Sequence, residues 1–129
     1  MLNLVVRKKY FDAIWAGQKT VEARLNSEKY KDLKAGMPIQ FTVLDSNRIA
    51  ICIIETINTY PDFKTMLISE GLENALPGIK TLEEGVKIYE AFPDYKKNVK
   101  KTGVLAIKIR MCSAAELRKI KEELTKESL

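Results

Sequence analysis

The chain has 129 residues, 46% of them hydrophobic and 30% charged, with a formal net charge of +5 and no histidine. That length suits a single hydrophobic core, and an ordinary apolar fraction with interspersed charge excludes global disorder. No apolar run approaches the roughly 20 residues that span a bilayer, and without histidine no Ser-His-Asp, Cys-His or imidazole-zinc device can be assembled within one chain.

In chain order, Leu2 to Val6 reads as a buried strand. Tyr10 to Ala16 puts Phe11, Ile14 and Trp15 at helical spacing, with Gly17 as the left-handed stop. Lys19 to Leu25 alternates as a strand, Val21, Ala23 and Leu25 against Thr20, Glu22 and Arg24. Asn26 to Lys34 reads as an irregular or single-turn connection, and Ala35-Gly36 turns the chain into a strand over Ile39 to Leu44. Asp45-Ser46-Asn47 then makes the turn of a hairpin whose second strand runs from Arg48 to Asn58.

From Asp62 the period becomes helical, with Phe63, Met66 and Leu67 on one side and an end near Gly71. A second helix is predicted over Thr81 to Ala91, with Leu82, Val86 and Tyr89 on one face and a Thr81–Glu84 capping box. Phe92 to Lys101 reads as a polar, basic loop, and Gly103 to Met111 as the last strand. Ser113 and Glu116 form another capping box, opening a helix to about Lys126 with Leu117, Ile120 and Leu124 inward. No repeat or low-complexity segment is visible. Several strands with hairpin turns and inserted helices predict an α+β domain, a small, mostly antiparallel barrel or strongly bent sheet decorated by helices.

Cys52 and Cys112 lie far apart in apolar strand-like runs and read as buried free thiols. Two thiols cannot build an all-thiolate metal site, and no clustered Asp motif appears, so no metal and no cofactor is expected. Any proton transfer would fall to Lys, Glu, Asp, Tyr or bound water. Met1 to Arg7 shows no cleavage-site pattern, and a cytoplasmic protein is the expectation. From Ser113 onward four basic residues balance four acidic ones, so the whole positive excess belongs to Met1 to Cys112. A basic body suggests an anionic partner such as nucleic acid, although the same charge also serves solubility alone.

The sharpest local feature is Gly17-Gln18-Lys19-Thr20-Val21-Glu22-Ala23-Arg24. Gly17 ends the helix, so Lys19 emerges at a helix-to-strand corner and is free to bend toward either face of the strand. Glu22 and Arg24, two apart, share one face with Thr20. One reading is a solvated strand face with weak cross-strand ion pairs. The other is a ligand pocket in which Arg24 offers a planar donor fork, Glu22 accepts from base or ribose donors, and Lys19 supplies charge for phosphate.

The run G-x-K-x-x-E-x-R, here Gly17, Lys19, Glu22 and Arg24, resembles the signature of ASCH domains, a family related to PUA-like RNA-binding barrels. Tyr10-Phe11-Asp12-Ala13-Ile14, Lys34-Ala35-Gly36, Leu76-Pro77-Gly78, Thr81 to Tyr89 and Gly103-Val104-Leu105-Ala106-Ile107 are similar to the family's flanking elements, so the resemblance covers roughly Leu2 to Arg110. It implies a PUA-like barrel domain over residues 1–112 with an added amphipathic helix over 113–129 packed on it. It also implies a cleft beside the helix-strand corner that binds RNA or a nucleotide. Some family members resemble binding modules of transcription or translation factors, a few are similar to ribonucleases, and one clade resembles acetylcytidine amidohydrolases. That clade carries a threonine nucleophile where this chain has Glu22, and a glutamate cannot replace an activated hydroxyl in acyl transfer without a different intermediate. Matching Lys19 and Arg24 therefore imply a retained ligand with altered or absent chemistry.

A second candidate patch is Tyr89, Phe92, Tyr95, Lys96, Lys97, Lys100 and Lys101. Aromatics among lysines stack bases and neutralise phosphates; alternatively Tyr89 and Phe92 anchor a helix and the lysines solvate a loop. The family places aromatic residues of this region at the cleft, but this chain has Pro93 and Asp94 where an aromatic and a small hydroxyl residue are expected. Arg7, Lys8 and Lys9 would extend a positive rim or form only a wet face, and Trp15 is expected in the core. The sequence thus predicts an RNA- or nucleotide-binding module using Gly17, Lys19, Thr20, Glu22, Arg24, Tyr95, Lys96, Lys97, Lys100 and Lys101. The alternatives are a nucleic-acid or modified-nucleoside hydrolase using Lys19 and Glu22, and a protein adaptor using the terminal helix. A monomer or weak homodimer is expected.

Overall fold

The computed structural model describes residues 1–127. Five strands form one sheet, β1 (Leu2–Val6), β2 (Val21–Leu25), β3 (Pro38–Val43), β4 (Ile49–Tyr60) and β5 (Val104–Met111), in the order β1-β3-β4-β5-β2. The β1–β3 pair is parallel, and β3–β4, β4–β5 and β5–β2 are antiparallel. The sheet curls into a half-barrel, the α+β architecture that the sequence predicts. A register shift between Ile54 and Thr56 bends β4, so that its first half pairs with β3 while its second half continues along β5.

The sheet is apolar on both faces, and β5 shows why. Leu105, Ile107 and Ile109 join a core with Leu4, Phe11, Ile39, Phe41 and Ile54. The alternate residues Val104 and Ala106 join a second core with Val21, Ala23, Phe63, Leu67 and Tyr89. The helices α1 (Lys8–Trp15), α2 (Phe63–Glu70), α3 (Leu72–Ala75), α4 (Leu82–Glu90), α5 (Tyr95–Thr102) and α6 (Ala114–Glu127) supply the remaining packing surface. Asp62 caps α2 by accepting from the Thr65 N–H at 2.7 Å, and Thr81 caps α4 by accepting from the Glu84 N–H at 3.1 Å. At α6 the capping box is reciprocal: the Ser113 hydroxyl accepts from the Glu116 N–H at 3.1 Å, and the Glu116 carboxylate accepts from the Ser113 N–H at 2.8 Å.

Several expectations need correction. Phe92 to Lys101 is not a loop, because Tyr95 to Thr102 forms α5. Phe92, Tyr95 and Val99 recur at helical spacing and pack on the second core, while Lys96, Lys97, Lys100 and Lys101 occupy the exposed side. Trp15 is not in the core; it is 56% exposed and stacks on Phe11 with ring centroids 6.1 Å apart. The short helix α3 falls where no element was expected. Cys52 is fully buried and its thiol is pushed up to about 12 by burial, whereas Cys112 is only half-buried. On α6, Ile120 is buried as predicted and Leu117 half-buried, while Leu124 is exposed. The part of the terminal segment at 128–129 lies outside the described residues.

Candidate functional site

Gly17 adopts a φ of +77°, and the N–H groups of Gln18 and Lys19 both donate to the Ala13 carbonyl at 2.9 and 3.0 Å. This left-handed stop ends α1 and turns the chain into β2. Thr20 is held by its backbone, donating to the Asn74 carbonyl at 2.9 Å and accepting from Ile109 N–H at 2.8 Å. Lys19 is thereby aimed inward between β2 and α3, where it is 3% exposed. Its ammonium donates to the carbonyls of Ala75 at 2.6 Å and Val21 at 2.7 Å, and lies 3.5 Å from Glu22 Oε1. The Tyr10 ring faces the same ammonium at 5.4 Å.

Glu22 is 6% exposed, so the solvated-face reading of β2 fails. The register explains its burial: Glu22 lies opposite Ile107 and Arg24 opposite Leu105, on the face that carries the first core. Glu22 Oε1 accepts from the Ala23 N–H at 3.2 Å, and Oε2 accepts from Arg24 Nη2 at 3.0 Å. Arg24 Nη2 also donates to the Val5 carbonyl at 3.2 Å. Its side chain therefore bridges β2 and β1, the two edge strands of the half-barrel. Burial alone would raise the Glu22 carboxyl, but Lys19 and Arg24 outweigh it and hold the group below the usual carboxylate range. Burial pushes the Lys19 ammonium down, partly offset by the Glu22 carboxylate. The arrangement is an ionised acceptor fixed between two cations.

The triad opens onto a cavity of about 210 Å³ between the β1–β2 seam and helices α4 and α5. Its walls include Tyr10, Tyr89, Phe92 and Tyr95 along with Val6, Leu76 and Ile88, and Arg7 stands at the lining with its guanidinium 5.7 Å from the Phe92 ring centroid. Phe63 lies parallel to both Tyr89 and Tyr95, with centroids 4.6 and 5.9 Å apart, which fixes the two tyrosines from behind. Tyr89 is 4% exposed, and its phenol oxygen has no hydrogen-bond partner among the described residues.

Of the residues singled out from sequence, Lys19, Glu22, Arg24, Tyr89, Phe92 and Tyr95 meet at this cavity. Gly17 and Thr20 shape the corner without lining it, and Lys96, Lys97, Lys100 and Lys101 stand outside on the exposed side of α5. Arg7 is a wall residue, whereas Lys8 pairs with Asp12 at 2.8 Å and Lys9 covers the Tyr10 ring at 5.6 Å. The sequence reading missed Tyr10, whose helical spacing with Ile14 core packing explains equally well, and Ile88, which lies off the predicted Leu82–Val86–Tyr89 face of α4. Among the described residues no group of three or more His, Cys, Asp or Glu could hold a metal ion, and no helix is long and apolar enough to cross a membrane.

Two solved structures are similar over most of the chain. The hypothetical protein PH0355 shares 37% identity at a TM-score of 0.74, covering 86% of this chain and 98% of its own. Protein PF0455 from Pyrococcus furiosus shares 33% identity at a TM-score of 0.67, covering 87% and 97%. The ASCH protein from Zymomonas mobilis shares only 16% identity but the same fold, with a TM-score of 0.57 over 93% of this chain and 78% of its own. No curated protein matches. The ASCH domain family model matches residues 4–113, from within β1 to the start of α6. With the family model matching most of its length and similar solved structures sharing its fold, the chain belongs to the ASCH domain family.

Proposed function

We propose that the cleft binds one unpaired nucleotide unit, either a base of single-stranded RNA or a free nucleotide. The observation that carries this reading is an ionised, nearly buried carboxylate at the wall of an aromatic-lined hollow. Such a group accepts hydrogen bonds and nothing else, so it suits a ligand with N–H donors and a flat apolar body. The cavity, at about 210 Å³, is below the roughly 300–1,000 Å³ typical of drug-sized ligands, which fits a single base or nucleoside and not a duplex.

Lys19 serves here as a positioning residue. With two carbonyls and a carboxylate around it, its ammonium fixes Glu22 and neutralises part of its charge. Phosphate attraction falls instead to Arg7 at the cavity and to the exposed lysines of α5, the helix that also supplies Tyr95.

Fluorescence anisotropy with a labelled single-stranded RNA at several salt concentrations tests this. Tyr95→Ala should weaken binding roughly tenfold, the scale of a single base–aromatic stack. Replacing Lys96, Lys97, Lys100 and Lys101 by alanine should reduce the steepness of the salt dependence, by about 0.7 in log–log slope for each phosphate no longer neutralised. Binding that neither change affects would remove the cleft and α5 from the account.

A further inference from the structure

We infer that the cleft is selective for guanine, recognised through its N1–H and 2-amino edge by Glu22. The inference rests on the base-binding reading above and adds the identity of the base. A carboxylate offers about four acceptor sites, two on each oxygen. Glu22 uses one on Oε1 for the Ala23 N–H at 3.2 Å and one on Oε2 for Arg24 at 3.0 Å. The Lys19 ammonium, 3.5 Å from Oε1, is a charge contact beyond the usual range of a directed bond. One acceptor site therefore remains on each oxygen, and the two point to a ligand with two adjacent N–H donors.

Among the common bases only guanine has that edge. Adenine and cytosine each present one amino group beside a ring nitrogen whose lone pair would face a carboxylate oxygen. Uracil offers a single N–H flanked by two carbonyl oxygens, which an anion repels. Guanine also carries a carbonyl next to its N1–H that needs a donor. Tyr89, in the same cavity wall, has a buried hydroxyl with no partner among the described residues. An O–H···O bond from Tyr89 to that carbonyl satisfies both groups, while Tyr95 supplies an aromatic face for the ring.

Isothermal titration calorimetry of the whole chain with GMP, IMP, AMP, CMP and UMP tests the assignment. IMP keeps the N1–H and the carbonyl but lacks the 2-amino group. The expected order is GMP, then IMP, then the other three, with GMP at least about tenfold tighter than AMP. In parallel, an oligoadenylate bearing one central guanosine should bind more tightly than the all-adenosine strand if the base is taken from RNA, and no better if only the free nucleotide enters. Glu22→Gln should abolish the GMP preference, and the GMP–IMP comparison on the unmodified protein keeps the test valid should that variant fold poorly. Equal affinities for GMP and AMP, or for GMP and IMP, would overturn the guanine assignment and leave the base-binding reading standing. No binding of any nucleotide or strand would overturn both.

Discussion

The Lys19 ammonium and the Glu22 carboxylate lie 3.5 Å apart with their side chains only 2% and 7% exposed. Removing one member of a buried pair leaves an uncompensated charge, at a cost of about 3–5 kcal/mol. Lys19→Met also deprives the Val21 and Ala75 carbonyls of their donor. In urea unfolding Lys19→Met and Glu22→Gln should each lower stability on that scale. The double variant should lose less than the two losses combined, by at least about 1 kcal/mol. Additive losses would mean that the two groups do not act as a pair.

Acid should destabilise the fold in a defined window. Glu22 lies below the ordinary 4.5 because Lys19 and Arg24 outweigh its burial, and Glu116 lies at about 2 because of Arg110 and the Ser113 N–H. Their folded values are depressed, so the unfolded chain takes up protons first. Their contribution is complete above 4.5 and is lost as the pH falls through the folded values. The urea midpoint should therefore fall between pH 4.5 and about 2, and Glu116→Gln, less stable at neutrality, should lose less across that range.

Gly103 joins α5 to β5 at a φ of +72° and ψ of −169°, a region that only glycine occupies readily. A Cβ there would lie 2.7 Å from the Tyr60 carbonyl oxygen, a backbone atom that cannot step aside. Gly103→Ala should cost at least about 1–3 kcal/mol in thermal or urea unfolding. A loss within about 0.5 kcal/mol, as for an ordinary surface change, would contradict this.

Tyr89→Phe should have opposite effects on the free and the bound protein. The phenol is buried without a partner among the described residues, a condition that costs about 1–3 kcal/mol, so its removal should raise the melting temperature of the ligand-free chain. If Tyr89 donates to a bound base as proposed, the same change should weaken nucleotide binding. Calorimetry of unfolding and of binding on one preparation reads both signs.

Much of the fold is legible in the residues because local rules act alone there. Ile39, Phe41 and Val43 alternate and are buried, and Ser113 with Glu116 closes the predicted cap. The corner at Gly17 and the shared face of Glu22 and Arg24 follow from backbone periodicity in the same way. What periodicity does not carry is which face another element covers. Glu22 looks solvated in β2 until its register with β5 and the helices beyond it are known. Trp15 shares the spacing of Phe11 and Ile14, yet it is the last residue of α1 and stands exposed, with no element among the described residues covering that end in the way the sequence pattern suggests. At α5, four lysines hide the stripe of Phe92, Tyr95 and Val99, which needs the second core to be recognised as one. The Lys19 contact with Ala75 spans 56 positions in the chain, and no local pattern encodes it.

The most direct measurement is an amide NMR titration of the whole chain with a short guanosine-containing single-stranded RNA. If an unpaired base enters the hollow beside Glu22, the largest saturable shifts will fall on Ala23, Arg24, Tyr89 and Tyr95, with smaller ones along the lysines of α5. Shifts confined to other surfaces, such as α6 or the Trp15 end of α1, with those four amides unmoved at saturation, would contradict the account.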